Sequence, residues 1–221
     1  MLPNYLHDAH ILLALCLDSH AICEKPLVIN PWNLDALEEL EAEYDKNIYN
    51  ILQLRYAEPI IKFKKEIEAN KENKKYQVNL QYITRRGKWY DISWKGNEAK
   101  SGGVLMNIGV HFFDLLLWLF GDVEKSKVDI IQKNKAKGHL ELEKASINWF
   151  LSVDEKDLPS EIRKNGQYAY RTLSINDEEI EFSKGFTDLH TKVYQDILVG
   201  NGVRLKDVKP AIDLVYNIKN N

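Results

Sequence analysis

Ile22-Cys23-Glu24-Lys25-Pro26 is the stretch whose reading decides the fold. With His20 and Ala21 before it, it reads as a short buried strand that ends in a charged pair and a proline. Proline has no N–H to carry a ladder onward, so the strand stops there. In an open α/β sheet the carboxyl end of a strand faces the crevice where ligands bind, so Glu24 and Lys25 are delivered to a site. A lone lysine at a strand end is ordinarily just solvated. Between Glu24 and Pro26, however, the tight strand exit holds the amine in place.

Working outward, Tyr5 to Leu17 carries apolar residues at Leu6, Ala9, Leu12, Leu13 and Cys16, which is helical spacing. Asn30 offers an N-cap with Pro31 at the first helical position, and a Glu-rich amphipathic helix follows to Tyr44. Ile48 to Leu54 reads as a second strand. Helix, strand, helix, strand is the second half of a doubly wound sheet. Only about two parallel strands are present where a complete dinucleotide-binding domain has roughly six. Residues 1–56 are therefore expected to form the C-terminal part of a Rossmann sheet.

Beyond residue 56 the pattern changes. Pro59 to Ala69 is a basic amphipathic helix, and Tyr76 to Ile83 alternates as a strand with one buried face. Further strands are expected at Lys127 to Gln132, Leu140 to Phe150, Tyr170 to Ile175 and Glu179 to Phe182, with a hairpin turn at Asn176-Asp177. Helices are expected at Leu105 to Phe120, closed by Gly121, at Asp188 to Leu198, closed by Gly200, and at Pro210 to Lys219. Residues 57–221 thus read as an α+β domain with a mixed, mostly antiparallel sheet, and the whole chain as α/β plus α+β.

Bulk properties exclude several classes. The 221 residues are 44% hydrophobic and 29% charged, an ordinary globular balance. A formal charge of -3 argues against a nucleic-acid or anionic-membrane partner. The longest apolar stretch, Phe112 to Phe120, is interrupted by Asp114 and is too short to span a bilayer. The N-terminal residues carry no basic region, and His7, Asp8 and His10 interrupt the apolar run, so no signal peptide is read and a cytoplasmic location is expected. Cys16 and Cys23 are expected to be buried thiols in a reducing compartment.

A second motif is Gly102-Gly103-Val104-Leu105-Met106-Asn107-Ile108-Gly109-Val110-His111-Phe112-Phe113-Asp114. On a helix, Asn107, His111 and Asp114 fall on one face, opposite an apolar side of Phe112, Leu115, Leu116 and Leu119. A lone histidine among apolar neighbours is more often structural than catalytic. The polar stripe and the glycine-rich approach favour function, and imidazole suits a base that takes a proton from a hydroxyl. His7, His10 and Asp114 do not complete a metal set, so no metal is expected. The run Tyr82 to Gly96 is dense in Arg, Lys, Trp and Tyr; it suits a diphosphate and a ring face, or is simply a basic surface loop.

The Glu-Lys-Pro strand end followed by the Gly-Gly…Gly-X-His-X-X-Asp segment resembles the glucose-fructose oxidoreductase/inositol dehydrogenase (Gfo/Idh/MocA) family. Within it, Pro3-Asn4-Tyr5-Leu6-His7, Glu24-Lys25-Pro26-Leu27, Asn30-Pro31-Trp32-Asn33, Arg86-Gly87-Lys88-Trp89-Tyr90, Ser101-Gly102-Gly103, Asn107 to Asp114 and Gly185-Phe186-Thr187-Asp188-Leu189-His190 are similar to UDP-N-acetylglucosaminuronate 3-dehydrogenases. The resemblance implies NAD as cofactor and a UDP-sugar whose C3 hydroxyl is oxidised on the way to surface polysaccharides. It implies Lys25 beside the nicotinamide, polarising that hydroxyl, and His111 as the proton acceptor. Asn4, His7, Glu24 and Lys25 are then cofactor-side residues. Arg86, Trp89, Tyr90, Lys95, Lys100, Ser101 and Asn107 are candidates for the nucleotide-sugar. Asn107 stands where many members of the family have an aspartate, so it is read as a hydrogen-bonder to substrate rather than a base.

One departure is large: no glycine occurs before Gly87. The Gly-rich turn that sets a pyrophosphate on a helix N-terminus, and its ribose-binding acid, are expected to be missing. Dehydrogenase activity of the isolated chain is expected to be weak or nil, with a bared sheet edge and bared helix faces. The rival expectation is a non-catalytic module that binds nucleotide-sugars or oligomerises. A homo-oligomer is expected in either case.

Overall fold

The computed structural model describes residues 2–70, 74–180 and 188–220. Near the N-terminus, β1 (Ala21–Glu24) and β2 (Ile48–Ile51) pair in parallel, from Ala21↔Ile48 to Glu24↔Ile51. Parallel strands need a crossover, and α2 (Pro31–Tyr44) supplies it. Asn30 is extended with Pro31 at the first position, as expected, but its side chain makes no capping bond. Asp45 closes the helix in the left-handed region. The second strand stops at Ile51 rather than Leu54, because Gln53–Tyr56 winds into a 3-10 turn.

α1 (His7–Cys16) packs on α2 and β1. It buries His7, Ile11 and Leu15, not the stripe that the sequence suggested. Leu12, Leu13 and Leu17 are exposed, as is Ile22 on β1. The helix is apolar on two sides, and only the side facing α2 and β1 has something to pack against. Cys16 is corrected with it: the thiol lies at the surface, 3.2 Å from the Tyr44 hydroxyl. Cys23 is buried, and burial pushes its thiol up to about 12.

A six-stranded sheet forms the rest of the scaffold. Its strands are β3 (Tyr76–Thr84), β4 (Val123–Gln132), β5 (Lys135–Leu142), β6 (Ala145–Ser152), β7 (Ala169–Ile175) and β8 (Glu178–Ile180), in the order β4-β5-β6-β3-β7-β8. Only β3 and β6 run parallel; every other pairing is antiparallel. The single strand expected over Leu140–Phe150 is in fact the end of β5 and most of β6, folded back at Glu143-Lys144. That turn has no glycine, asparagine or proline, so nothing local announced it. Asn176 and Asp177 do form the hairpin turn, with φ of 49° and 67°. The expected strand at Glu179–Phe182 extends past Ile180 into residues outside the described ones.

Helices α3 (Glu58–Ala69), α6 (Val110–Phe120) and α9 (Leu205–Asn220) complete the frame, with the short helices α4 (Lys88–Ile92), α5 (Glu98–Ser101) and α7 (Ser160–Lys164) between strands, and the main apolar core runs from Ile11 to Ile218. The helical run Glu98–Phe120 is long and apolar enough to cross a membrane, but 78% of its most apolar window is buried inside the protein. Phe113 and Phe120 are fully buried there. Each such side chain withdrawn from water contributes about 1.5–3 kcal/mol. α9 starts at Leu205, not Pro210: the Asp207 carboxylate accepts the Arg204 N–H at 2.9 Å and initiates the helix a turn earlier. α8 (Leu189–Leu198) ends before Gly200, which has φ 87°.

Candidate active site

The site begins where β1 ends. The Lys25 amine donates to the Asn107 carbonyl at 2.9 Å, joining the strand exit to a π-helical turn, Leu105–Gly109, that leads into α6. Such turns widen the helix by a residue and recur at functional sites. Gly102 sets up its approach with φ 81°, and a Cβ there would sit 2.4 Å from Met106 Cβ. Burial pulls the Lys25 amine down to about 8; Glu24 opposes this, while Lys95 and Arg86 add to it.

His111, one residue into α6, is buried. Its Nδ1 is buried with no hydrogen-bond partner among the described residues, and the residue lines the cavity beside Lys25. Burial, and then the charges of Lys25 and His190, hold the imidazole well below its usual value. At neutral pH an ammonium group therefore stands beside a neutral imidazole, a donor beside a proton acceptor.

Two clefts meet at this pair. The larger, of about 460 Å³, is lined by Gln53, Gln81, Arg171 and Thr172; the smaller, of about 200 Å³, by Asn4, His7, Glu24, Arg86, Trp94, Lys95 and Asn107. Lys25, Tyr82, His111 and Phe112 line both. The smaller cleft thus gathers eight of the residues singled out in the sequence. His7 donates from Nδ1 to the Pro26 carbonyl at 2.8 Å, and Asn4 donates to the Ser101 carbonyl at 2.9 Å. His190 reaches Glu24 at 3.2 Å; Gly185, Phe186 and Thr187 of the same sequence motif lie outside the described residues.

Four candidates lie elsewhere. Ser101 is fully buried and shapes the glycine turn, donating to the Asn97 carbonyl and accepting from Gly103 N–H. Lys100 is exposed, its ammonium 5.9 Å from the Tyr5 ring. Trp89 is half exposed, and Tyr90 is buried. Tyr90 also lines a third cleft of about 220 Å³ that shares Lys95 with the smaller one. The expected polar stripe is corrected at Asp114, which faces away from the clefts. Both its oxygens are held by Arg55, which also donates to the Asp207 carbonyl at 3.2 Å.

Phe112, expected on the apolar side opposite His111, is corrected: its ring lies 5.1 Å from Tyr82 and the two wall both clefts with His111, while Gln53, Arg171 and Thr172 were not singled out in the sequence. Alternation marked Tyr82 as inward-facing, and its place near the end of a strand was the available signal.

Comparison with known proteins agrees with this fold. Residues 64–158 match the Gfo/Idh/MocA oxidoreductase family, C-terminal alpha/beta domain. The crystal structure of the WlbA (WbpB) dehydrogenase from Thermus thermophilus, in complex with NAD and UDP-GlcNAcA, is 42% identical with a TM-score of 0.93, covering 100% of this chain and 71% of that one. The WlbA dehydrogenase of Bordetella pertussis shares the fold at 19% identity and a TM-score of 0.79, over 99% of this chain and 75% of that one. Glucose-6-phosphate 3-dehydrogenase of Bacillus subtilis is 25% identical over 53% of this chain and 35% of its own length. The chain spans about a third of the length of the curated relatives it matches. By the identity and coverage shared with the Thermus protein, the chain belongs to the Gfo/Idh/MocA family of oxidoreductases.

Proposed function

We propose that this chain carries the substrate side of an NAD-dependent dehydrogenase that oxidises the C3 hydroxyl of UDP-N-acetylglucosaminuronate. The observation that carries the reading is the Lys25–His111 pair, an ammonium and a neutral imidazole lining the same two clefts. The Thermus neighbour crystallised with NAD and UDP-GlcNAcA, and the 3-dehydrogenases among the curated relatives, support it.

Lys25 donates to the reacting hydroxyl and stabilises the oxygen as its proton leaves; His111 accepts that proton. Arg86 and Lys95 supply charge for a diphosphate, and Trp94 a face for a ring. Asn107 holds the Lys25 amine through its carbonyl and lines the smaller cleft. The nicotinamide end of NAD fits the smaller cleft, where buried Asn4 and His7 offer polar edges beside apolar Leu2. NAD, when bound, supplies the hydride acceptor. On this reading residues 1–56 serve the cofactor and bring Lys25 and Gln53 to the sugar, and residues 57–221 supply the rest of the sugar site. The open face of the six-stranded sheet, with Asn79, His139, Glu141, Ser146 and Asn148 in one polar network, serves a homo-oligomer contact. Two free thiols accord with a cytoplasmic location.

Titration calorimetry tests the reading. UDP-N-acetylglucosaminuronate is expected to give saturable heat that falls about tenfold or more in Lys95→Ala, as expected for loss of a charge-assisted bond. An absence of heat with this ligand and with UDP overturns it.

A further inference from the structure

Arg171 lies on β7 directly opposite Tyr82 on β3, so both side chains leave the same face of the sheet. Its guanidinium sits 4.9 Å from the Tyr82 ring centre, held against the aromatic wall of the larger cleft. A guanidinium carries its N–H groups in a planar fork, a geometry matched to carboxylates.

The lining of that cleft is one-sided. Lys25 and Arg171 contribute cationic groups, and no acidic side chain lines it among the described residues. The smaller cleft, by contrast, includes Glu24. Gln53 adds a second signal: its Oε1 is buried with no partner, an acceptor waiting for a donor such as a sugar hydroxyl. Two cationic groups and an unpaired acceptor in one lining fit a ligand bearing both a carboxylate and hydroxyl groups. In a uronic acid the carboxylate carbon C6 is carried by C5, two ring atoms from C3, so a sugar with its C3 hydroxyl at Lys25 keeps its acid group within reach of the same cleft.

We infer that the larger cleft is a carboxylate subsite in which Arg171 selects an acidic sugar over its neutral counterpart. The inference rests on the reading of Lys25 and His111 as the reacting pair. It is tested by calorimetric titration of the full chain with UDP-N-acetylglucosaminuronate and with UDP-N-acetylglucosamine, which differ at C6 alone. The acid is expected to bind about tenfold or more tightly. Arg171→Gln is expected to erase that preference and Arg171→Lys to keep part of it, while both bind the neutral sugar as the parent does, which reports an intact fold. Equal affinity for the two sugars in the parent, or a preference that survives Arg171→Gln, overturns the subsite and leaves the reacting pair untouched. No binding of either sugar overturns the underlying reading as well.

Discussion

Lys25 donates to the main-chain carbonyl of Asn107 at 2.9 Å across 82 residues of sequence. One bond therefore ties the end of a parallel strand to the turn that aims His111. The amine also carries a cost, because burial drags it from 10.5 to about 8. A folded chain that resists protonation where the unfolded chain accepts it gains stability as pH rises through that window. Below about pH 8 the charged amine is carried by both states and the full cost is present; above about 10.5 neither is charged and the cost is gone. Lys25→Met is therefore expected to be more stable than the parent at pH 7, by about 1–2 kcal/mol once the lost bond to Asn107 is set against the relieved burial. Urea denaturation at pH 7 and 10.5 checks this, with the gap closing at the higher pH. A less stable variant at pH 7 would sink the burial argument.

His111 works at the acid end. Its proton affinity is lowered by burial, Lys25 and His190. Between its depressed value and 6.5 the unfolded chain binds a proton that the folded chain refuses, so stability declines as pH falls below about 6.5. His111→Gln removes the titrating ring and is expected to flatten that limb while changing stability little at pH 7.5. Denaturation midpoints from pH 4.5 to 7.5 give the slopes; parallel slopes in parent and variant would contradict a neutral buried imidazole.

Much of this was legible in the chain because local chemistry and tertiary role agreed. Lys25 before Pro26, the alternation from Tyr76, and the turn at Asn176-Asp177 each carried their own signal. The β5–β6 turn did not, since Glu143-Lys144 has no turn chemistry and both flanking strands are apolar on the core face. α1 misled because an apolar residue shows that a side chain could be buried, not that a partner is there to bury it. Among the site residues, Arg171 and Gln53 carry no motif. Their roles come from strand register and from a 3-10 turn, which local sequence does not specify.

The glycine turn gives a comparison between two substitutions. Gly102 and Gly200 have similar φ, 81° and 87°, so alanine at either pays left-handed strain of about 1–2 kcal/mol. Nothing lies within 4 Å of a Cβ at Gly200, whereas one at Gly102 would strike Met106. Gly102→Ala is expected to lose clearly more stability than Gly200→Ala, and to weaken UDP-sugar binding by moving Asn107. Equal losses in thermal denaturation would show that the approach to the π turn yields freely.

Asp114, a motif residue, is expected to matter for folding rather than for chemistry. Both its oxygens engage the Arg55 guanidinium, and the pair is nearly shut off from water. Arg55 also reaches the Asp207 carbonyl, so the pair clamps α6 against the 3-10 turn and α9. Arg55→Met leaves a buried carboxylate without its partner and is expected to cost about 3–5 kcal/mol. Adding Asp114→Leu removes the stranded charge, and the double variant is expected to recover most of that loss. The double variant should also keep the parent's affinity for the UDP-sugar, because neither side chain lines the clefts at Lys25 and His111. A stable double variant that no longer binds the sugar would instead place Asp114 in the binding machinery.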